Sequence, residues 1–202
     1  ESRKLARFFI DIREFTPFVE SSLPFDVIHI MRRIFALFKH AITQCEGKII
    51  DTAGDGLYAV FGLNTKIKQA AESAVLAGLK ILADLRIFNN TYMRPYFNHT
   101  FEVGIGVHVG KVVVGNVGIG LSQNLTVMGF PVNIAARLQA ATKELNNSFV
   151  ISEVTYRLLK NPPYAVGCDY LNLKGVSTPY EVKLIGKPYP KKDALVLPKT
   201  SL

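Results

Sequence analysis

Two aspartates, Asp11 and Asp55, are the residues of this 202-residue chain whose type and placement could support chemistry together. Asp11 stands near the end of the apolar run at residues 5–12, and Asp55 lies in the turn Ala-Gly-Asp-Gly between two short apolar segments. Carboxylates at strand ends, without neighbouring His or Cys, suit hard cations such as Mg²⁺. Two such ions close together could assist a phosphoryl transfer. The residues alone also allow a simpler interpretation, in which one Asp ends a strand and the other shapes a turn.

The surrounding pattern predicts the elements that must position these aspartates. Residues 5–12 predict a buried strand, and residues 48–52 and 57–61 predict a hairpin with Asp55 at its tip. Apolar residues at three- and four-residue spacing predict a helix over residues 24–45, buried on more than one side. The two carboxylates are therefore expected to meet where the strand and the hairpin lie side by side.

The second half of the chain predicts a continuation of the same sheet. Residues 101–109 alternate, with Glu102, Gly104, Gly106 and His108 on one face and apolar residues on the other. We also expect helices over 66–88, 131–143 and 153–159, strands over 111–117, 124–128, 149–151, 170–173 and 180–185, and a loop over 89–100. This order predicts an α+β fold of the βαββαβ type, with helices on one face of a mostly antiparallel sheet. Residues 1–186 would form one domain, and the Pro- and Lys-rich residues 187–202 a tail or linker.

The composition of the chain limits the classes of protein to which it could belong. With 49% hydrophobic and 20% charged residues, the chain can bury the core of one globular domain. Cys45 and Cys168 have no regular spacing, which argues against a disulfide framework or a zinc site and suits a reducing compartment. The net charge is +8, but the lysines are scattered and no basic stripe is interleaved with aromatic residues. We therefore expect no nucleic-acid partner.

Six segments resemble, in order and spacing, the catalytic domain of class III adenylyl and guanylyl cyclases. They are FIDIREFT at 9–16, GDGLYAVFG at 54–62, VGIGVHVG at 103–110, GNVG at 115–118, VNIAARL at 132–138 and LKG at 173–175. The resemblance covers residues 5 to about 186. It implies a ferredoxin-like cyclase fold and an enzyme that converts a nucleoside triphosphate into its 3′,5′-cyclic monophosphate and pyrophosphate. It also implies a catalytic dimer with active sites at the interface.

The resemblance implies roles for the matching residues of the first two segments. Asp11, Asp55 and the backbone carbonyl of Ile12 would hold two Mg²⁺ or Mn²⁺ ions. Backbone amides near Phe15 and Thr16, where the chain turns into a helix, would bind phosphate.

Asn133 and Arg137 match the pair that, in the family, orients the ribose and stabilises charge on the α-phosphate. Their spacing of four residues places both on one helix face. Lys174 matches the family's triphosphate-binding lysine. The residues alone leave open an amide and an arginine on an exposed helix, and a surface lysine before a turn glycine. Because one chain carries both the metal pair and the Asn/Arg pair, the resemblance implies a homodimer with two complete sites.

Two positions whose side chains select the purine base in the family give conflicting indications about the substrate of this chain. Asp51 stands where adenylyl cyclases usually have Lys and guanylyl cyclases Glu, and an ionised carboxylate accepts hydrogen bonds that guanine can donate. Thr126 resembles the adenylyl branch. A further departure is Glu14, which replaces a glycine common in the family.

We expect ATP to be the substrate, since it is the more frequent substrate in the family. The alternatives are a guanylyl cyclase that acts on GTP, or a catalytically quiet domain used for nucleotide sensing or dimerisation. The chain starts with neither a signal peptide nor an initiator methionine, and no uninterrupted apolar stretch reaches the roughly 18 residues of a membrane-spanning helix. We expect a cytoplasmic catalytic domain of a longer protein, with an upstream regulatory or sensor segment that could include a membrane tether.

Overall fold

The structure is a computed structural model that describes residues 1–119, 122–172 and 178–190. Its strands are β1 (Ser2–Ile12), β2 (Lys48–Ala53), β3 (Gly56–Phe61), β4 (Val103–Ile119), β5 (Ser122–Met128), β6 (Phe149–Ser152), β7 (Gly167–Leu171) and β8 (Tyr180–Leu184). Its α-helices are α1 (Phe15–Ser21), α2 (Pro24–Gln44), α3 (Ile67–Phe88), α4 (Arg94–Phe97), α5 (Phe130–Ala141) and α6 (Glu153–Tyr156). A π-helical turn, Asn89–Met93, joins α3 to α4.

The strands form one sheet in the order β2-β3-β1-β4-β6-β8-β7, with β5 paired to β4. Among the described strands the pairing of β4 with β6 is parallel and the other pairings are antiparallel. The prediction of an α+β fold with a mostly antiparallel sheet is therefore confirmed. No helix in the described ranges is long and apolar enough to cross a membrane.

The main core lies between one face of the sheet and the two long helices. Alternate residues of β1 and β4 point to this face, and they are fully or almost fully buried against apolar side chains of α2 and α3. This core includes Ala6, Phe8 and Ile10 of β1, Ile34 and Phe38 of α2, Ala74 and Ile81 of α3, and Val103, Ile105 and Val107 of β4. Such burial is the main source of the stability of the fold.

Helix α5 packs on the opposite face, so the expectation that all helices share one face was wrong. The physical reason lies in the small residues of β4. A Cβ atom on Gly106 would collide with the backbone of Ala135 and Gln139 of α5. The glycine thus lets the helix backbone lie directly on the strand. Ile134 and Leu138, on the adjacent side of α5, form a second apolar cluster with β6, β7 and β8.

Local differences from the prediction have local causes. Strand β4 is continuous because Gly110 pairs with Leu5 in the ladder to β1, and the predicted break at this glycine does not occur. The apolar pattern along the chain did not predict helix α1, although the resemblance implied a helix start near Phe15 and Thr16. Glu14, just before it, has a φ of 52°, in the left-handed region that favours glycine. A left-handed φ at this position explains why glycine is common in the family where this chain has Glu14.

The segment assigned to the tail begins with residues that contact the domain. Lys187 exchanges hydrogen bonds with Ser148, since the Lys187 carbonyl accepts from the Ser148 N–H and the Lys187 N–H donates to Ser148 Oγ. The Tyr189 hydroxyl donates to the Val103 carbonyl at 3.1 Å. Residues 191–202 lie outside the described residues.

Candidate active site

The register of the sheet brings Asp11 and Asp55 to the same place. Asp11 pairs with Gly56, the residue after Asp55, in the ladder between β1 and β3. The N–H of Ile12 donates a hydrogen bond to the Asp55 carbonyl at 3.2 Å. The hairpin tip is therefore fixed beside the end of β1, as the sequence pattern predicted.

Electrostatics at Asp11 disfavour its charged form. Burial raises the pKa of Asp11, and the nearby charge of Asp55 raises it further, while Arg13 and the Gln139 side chain act in the opposite direction. Arg13 Nη2 lies 2.6 Å from Asp11 Oδ1 and also donates to the Gln139 carbonyl at 3.3 Å. An ionised Asp11 thus depends on a neighbouring cation, which is Arg13 in this structure.

The oxygen atoms at this end of β1 are suitable ligands for a hard cation. Asp11 Oδ1 is buried and, apart from the ion pair with Arg13, accepts no hydrogen bond of good geometry from the described residues. Nowhere in residues 1–119, 122–172 and 178–190 do three His, Cys, Asp or Glu side chains converge on one point. A cation here would therefore need carbonyl, water or phosphate oxygens besides the two carboxylates, which is how proteins usually bind Mg²⁺.

The residues expected to bind phosphate lie where α1 begins. Phe15 is the first residue of α1 and is half-buried, with its ring centroid 6.3 Å from that of Phe18 and 6.4 Å from that of Phe101. Thr16 follows and is exposed. No side-chain hydrogen bond caps the helix start. The packing of Phe15 thus anchors the turn that follows Asp11.

Asn133 and Arg137 lie one turn apart on α5. Asn133 is exposed and Arg137 is half-buried, whereas Ile134 and Leu138 face the second apolar cluster. The helix begins after Gly129, which has a φ of 141°, and has Pro131 in its first turn, where a missing N–H costs no hydrogen bond. The pair thus projects from a well-anchored helix on the sheet face that also carries Asp11.

Asp51 and Thr126 lie on two strands that contact one another, β2 and β5. Asp51 pairs with Tyr58 across the β2–β3 ladder and is exposed, and its Oδ1 accepts a hydrogen bond from the Thr52 N–H at 2.8 Å. Thr126 is half-buried and pairs with Gly115. Lys174 lies outside the described residues.

A stacked aromatic pair next to Asp51 is a feature that sequence reasoning missed. The rings of Phe9 and Tyr58 are 4.4 Å apart between centroids and 10° from parallel. Because Phe9 pairs with Tyr58 and Tyr58 pairs with Asp51, the three side chains share the face that carries Asp11. Only the strand register places the two rings together, and the signal in the sequence is an aromatic residue on each of two neighbouring strands.

Comparison with known proteins identifies the family of this chain. The family described as the adenylate and guanylate cyclase catalytic domain matches residues 1–189. Adenylate cyclase 1 of Rhizobium meliloti is 30% identical over 150 residues, which are 74% of this chain and 22% of that protein. The terminal-differentiation-specific adenylate cyclase of Dictyostelium discoideum is 31% identical over 153 residues, 76% of this chain and 7% of that protein. The chain thus spans a small part of the length of these relatives.

Two solved structures have the same architecture. The guanylyl cyclase Cya2 superimposes with a TM-score of 0.83 at 26% identity, covering 96% of each chain. The adenylyl cyclase CyaB from P. aeruginosa superimposes with a TM-score of 0.81 at 24% identity, covering 94% of this chain and 96% of that one. With the family match over nearly the whole chain, these findings show that the chain belongs to the adenylate and guanylate cyclase catalytic domain family.

Proposed function

We propose that this domain is a purine nucleotide cyclase that converts ATP into 3′,5′-cyclic AMP and pyrophosphate, at sites shared between two copies of the chain. The observation that carries the proposal is the meeting of Asp11 and Asp55 at the end of β1, on the sheet face that α5 covers. This face presents carboxylates for cation-bound phosphates and, on α5, the polar pair Asn133 and Arg137.

The reaction joins the ribose 3′ oxygen to the α-phosphorus and breaks the bond from that phosphorus to the bridging oxygen of pyrophosphate, and the proton of the 3′ hydroxyl passes to water. Two Mg²⁺ or Mn²⁺ ions held by Asp11, Asp55 and the Ile12 carbonyl would supply Lewis-acid stabilisation of the phosphate charge. Asn133 would orient the ribose, and Arg137 would stabilise negative charge that develops on the α-phosphate. Backbone amides near Phe15 and Thr16, with Lys174, would bind the triphosphate.

Two copies are proposed because the β4–β5 hairpin and the start of α5 expose apolar side chains. Val113 and Met128 are paired in the ladder and are 52% and 53% exposed, and Val117 is 55% exposed. Phe130, at the start of α5, is 47% exposed. Apolar groups concentrated beside the proposed site favour a protein contact there. In a homodimer, each copy would supply its aspartate pair to one active site and its Asn133/Arg137 pair to the other.

ATP is proposed as the substrate, supported by the two adenylate cyclases with at least 30% identity. The stacked Phe9–Tyr58 pair offers an apolar surface on which either purine could pack. A second candidate, GTP, is favoured by one observation. The exposed Asp51 carboxylate, beside Tyr58, presents acceptors that match the N1 and N2 donors of guanine and not the N1 acceptor of adenine.

The proposal is tested by measuring cyclic nucleotide and pyrophosphate from ATP and from GTP, each with Mg²⁺ and with Mn²⁺. We expect equimolar cyclic AMP and pyrophosphate from ATP at a higher kcat/KM than the corresponding products from GTP. A higher kcat/KM with GTP would support the second candidate. No product from either nucleotide, with a folded dimer, would contradict the cyclase proposal and favour a quiet nucleotide-sensing domain.

A further inference from the structure

Arg7 is a fully buried cation on the sheet face that α5 covers. Its exposed fraction is 0%, and it lies two residues before Phe9 on β1, between Val60 of β3 and His108 of β4 in the ladder. Nη1 donates a hydrogen bond to the Gly110 carbonyl at 2.8 Å. Its Nε and Nη2 donate to no residue that the structure describes. Two of its three nitrogens are thus buried without an acceptor among the described residues.

No protein carboxylate in the described part of the chain balances this charge. The ion pairs found among residues 1–119, 122–172 and 178–190 do not include Arg7. Burial lowers the pKa of Arg7 to about 10, against small opposing effects of the Tyr58 and Tyr180 phenols. The guanidinium therefore stays charged near neutral pH. A buried charge without a counter-ion is strongly unfavourable, and such groups in native proteins usually have a bound ion or water as partner.

No negatively charged group is found among the described neighbours of Arg7, and its neighbours include neutral hydroxyl groups that can donate. The Tyr58 hydroxyl is buried and has no partner in the described part of the chain, and burial raises the pKa of both Tyr58 and Tyr180, so that both phenols keep their protons. Burial, helped by the charge of Arg7, lowers the pKa of His108 to about 3, so the imidazole is neutral. The surroundings hold one positive charge and hydroxyl donors, which suits an anion.

The free edge of the guanidinium defines the shape of that anion. Nε–H and Nη2–H point from one edge in parallel, at the spacing of two oxygens on a planar group such as carboxylate or nitrate. We propose that Arg7 and Tyr58 form a binding site for a small, planar, monovalent oxyanion between the sheet and α5. The anion would accept two hydrogen bonds from the Arg7 edge and one from the Tyr58 hydroxyl.

The location of this site connects it to the start of α5. A Cβ atom placed on Gly110 would lie 2.9 Å from the Pro131 ring and 3.0 Å from Arg7 Nη2. Arg7 thus lies against the first turn of the helix that carries Asn133 and Arg137. An anion that neutralises Arg7 would stabilise the packing of α5 on β1 and β4. This inference does not depend on the proposed cyclase activity.

Thermal unfolding in sodium formate and in sodium nitrate tests the proposal, with sodium chloride keeping the ionic strength constant. For a saturating ligand we expect the Tm of the wild-type domain to rise by about 3 °C or more when formate or nitrate replaces chloride. Arg7→Met should lose this rise. Arg157→Met, which removes an exposed arginine paired with Glu153, should keep it. Equal Tm values in all three salts, or a full rise in Arg7→Met, would overturn the proposal.

A second measurement applies if Arg7→Met does not fold. Binding of ¹³C-formate to the wild-type domain and to Tyr58→Phe can be followed by NMR line broadening, with nitrate as competitor. Loss of one hydrogen bond to a charged ligand should weaken formate binding by about tenfold in Tyr58→Phe. Absence of saturable binding in the wild type, as expected if water alone solvates Arg7, would also overturn the proposal.

Discussion

Arg13 Nη2 lies 2.6 Å from Asp11 Oδ1. The Arg13 side chain, which follows the end of β1, thus forms an ion pair with the carboxylate that we propose as a metal ligand. Gly104 makes room for this arrangement, because a Cβ atom there would collide with the Arg13 guanidinium and the Thr142 hydroxyl. Arg13 neutralises a carboxylate whose charged form burial disfavours. A metal ion that binds Asp11 must therefore compete with this guanidinium.

We predict that Arg13→Gln binds Mn²⁺ more tightly than the wild type in the absence of nucleotide. A partly exposed ion pair contributes up to about 1 kcal/mol, which corresponds to roughly fivefold in affinity. The measurement is a titration of free Mn²⁺ by electron paramagnetic resonance. Arg3→Gln, which removes the exposed pair with Glu1, serves as the control and should bind like the wild type. Unchanged or weaker binding in Arg13→Gln would show that the guanidinium does not compete for Asp11.

We predict that Asp11→Asn and Asp55→Asn each reduce cyclase kcat by at least about a hundredfold, because each removes charge that a bound cation requires. Asp169→Asn, on the exposed strand β7, should keep wild-type activity. Steady-state turnover with Mg²⁺ gives the comparison. Wild-type turnover in either active-site variant would contradict the metal assignment.

Asp11→Asn should also leave stability equal or higher near neutral pH. The pKa of Asp11 is raised on folding, so the ionised group costs stability as pH rises from its unfolded pKa of 3.8 through the folded pKa. An uncharged Asn avoids that cost. The difference in Tm, variant minus wild type, should therefore be larger at about pH 7 than at about pH 4. A difference that grows toward acid would have the wrong sign for this account.

Asp51→Lys should change purine preference toward ATP. Lysine donates to adenine N1 where Asp51 cannot, and an unpaired polar group against a base costs about 1–3 kcal/mol. We expect kcat/KM for ATP to rise roughly tenfold to a hundredfold and that for GTP to fall. The control Asp169→Lys makes the same charge change on β7. An unchanged ATP-to-GTP ratio in Asp51→Lys would place base selection elsewhere.

Because His108 is buried, we predict that the domain loses stability in mild acid. Its folded pKa is about 3 against an ordinary value of 6.5, so the unfolded chain takes up a proton below pH 6.5 that the folded domain refuses. Between about pH 7 and pH 5 this one group should cost about 2 kcal/mol of unfolding free energy. Chemical denaturation of His108→Gln should lack this component, whereas the exposed His29→Gln should retain it. Equal pH dependence in the two variants would mean that His108 does not titrate in this way.

The large elements and the Asp11–Asp55 meeting could be predicted because they follow from patterns along the chain. Alternation over residues 101–109 defined the two faces of β4, and a hairpin beside β1 was enough to bring the carboxylates together. The seven residues of helix α1, with Pro17 among them, are too few for a periodic signal, so only the resemblance indicated a helix start near Phe15 and Thr16. The break expected between residues 109 and 111 does not occur because Gly110 pairs with Leu5, and the alternation pattern alone does not show this pairing.

Features that depend on side-chain direction could not be predicted. The ion pair of Arg13 with Asp11 and the stacking of Phe9 on Tyr58 require the strand register and the rotamers. The prediction that Arg7 lies in a buried strand is confirmed, but no local pattern shows that its guanidinium has no counter-ion in the part of the chain that the structure describes. The side of the sheet that α5 covers likewise depends on the close approach of its backbone to Gly106.

The shared site is the central claim, and mixing two inactive variants tests it most directly. Asp11→Ala removes one half of each site and Arg137→Ala the other, so each variant alone should be nearly inactive. In an equal mixture half of the dimers would be mixed, each with one intact site, and activity should return to about a quarter of the wild-type value. Asp11→Ala mixed with Asp55→Ala, whose lesions fall in the same half, should recover nothing. No recovery in the first mixture, with subunit exchange demonstrated by native mass spectrometry, would contradict a site built from two copies.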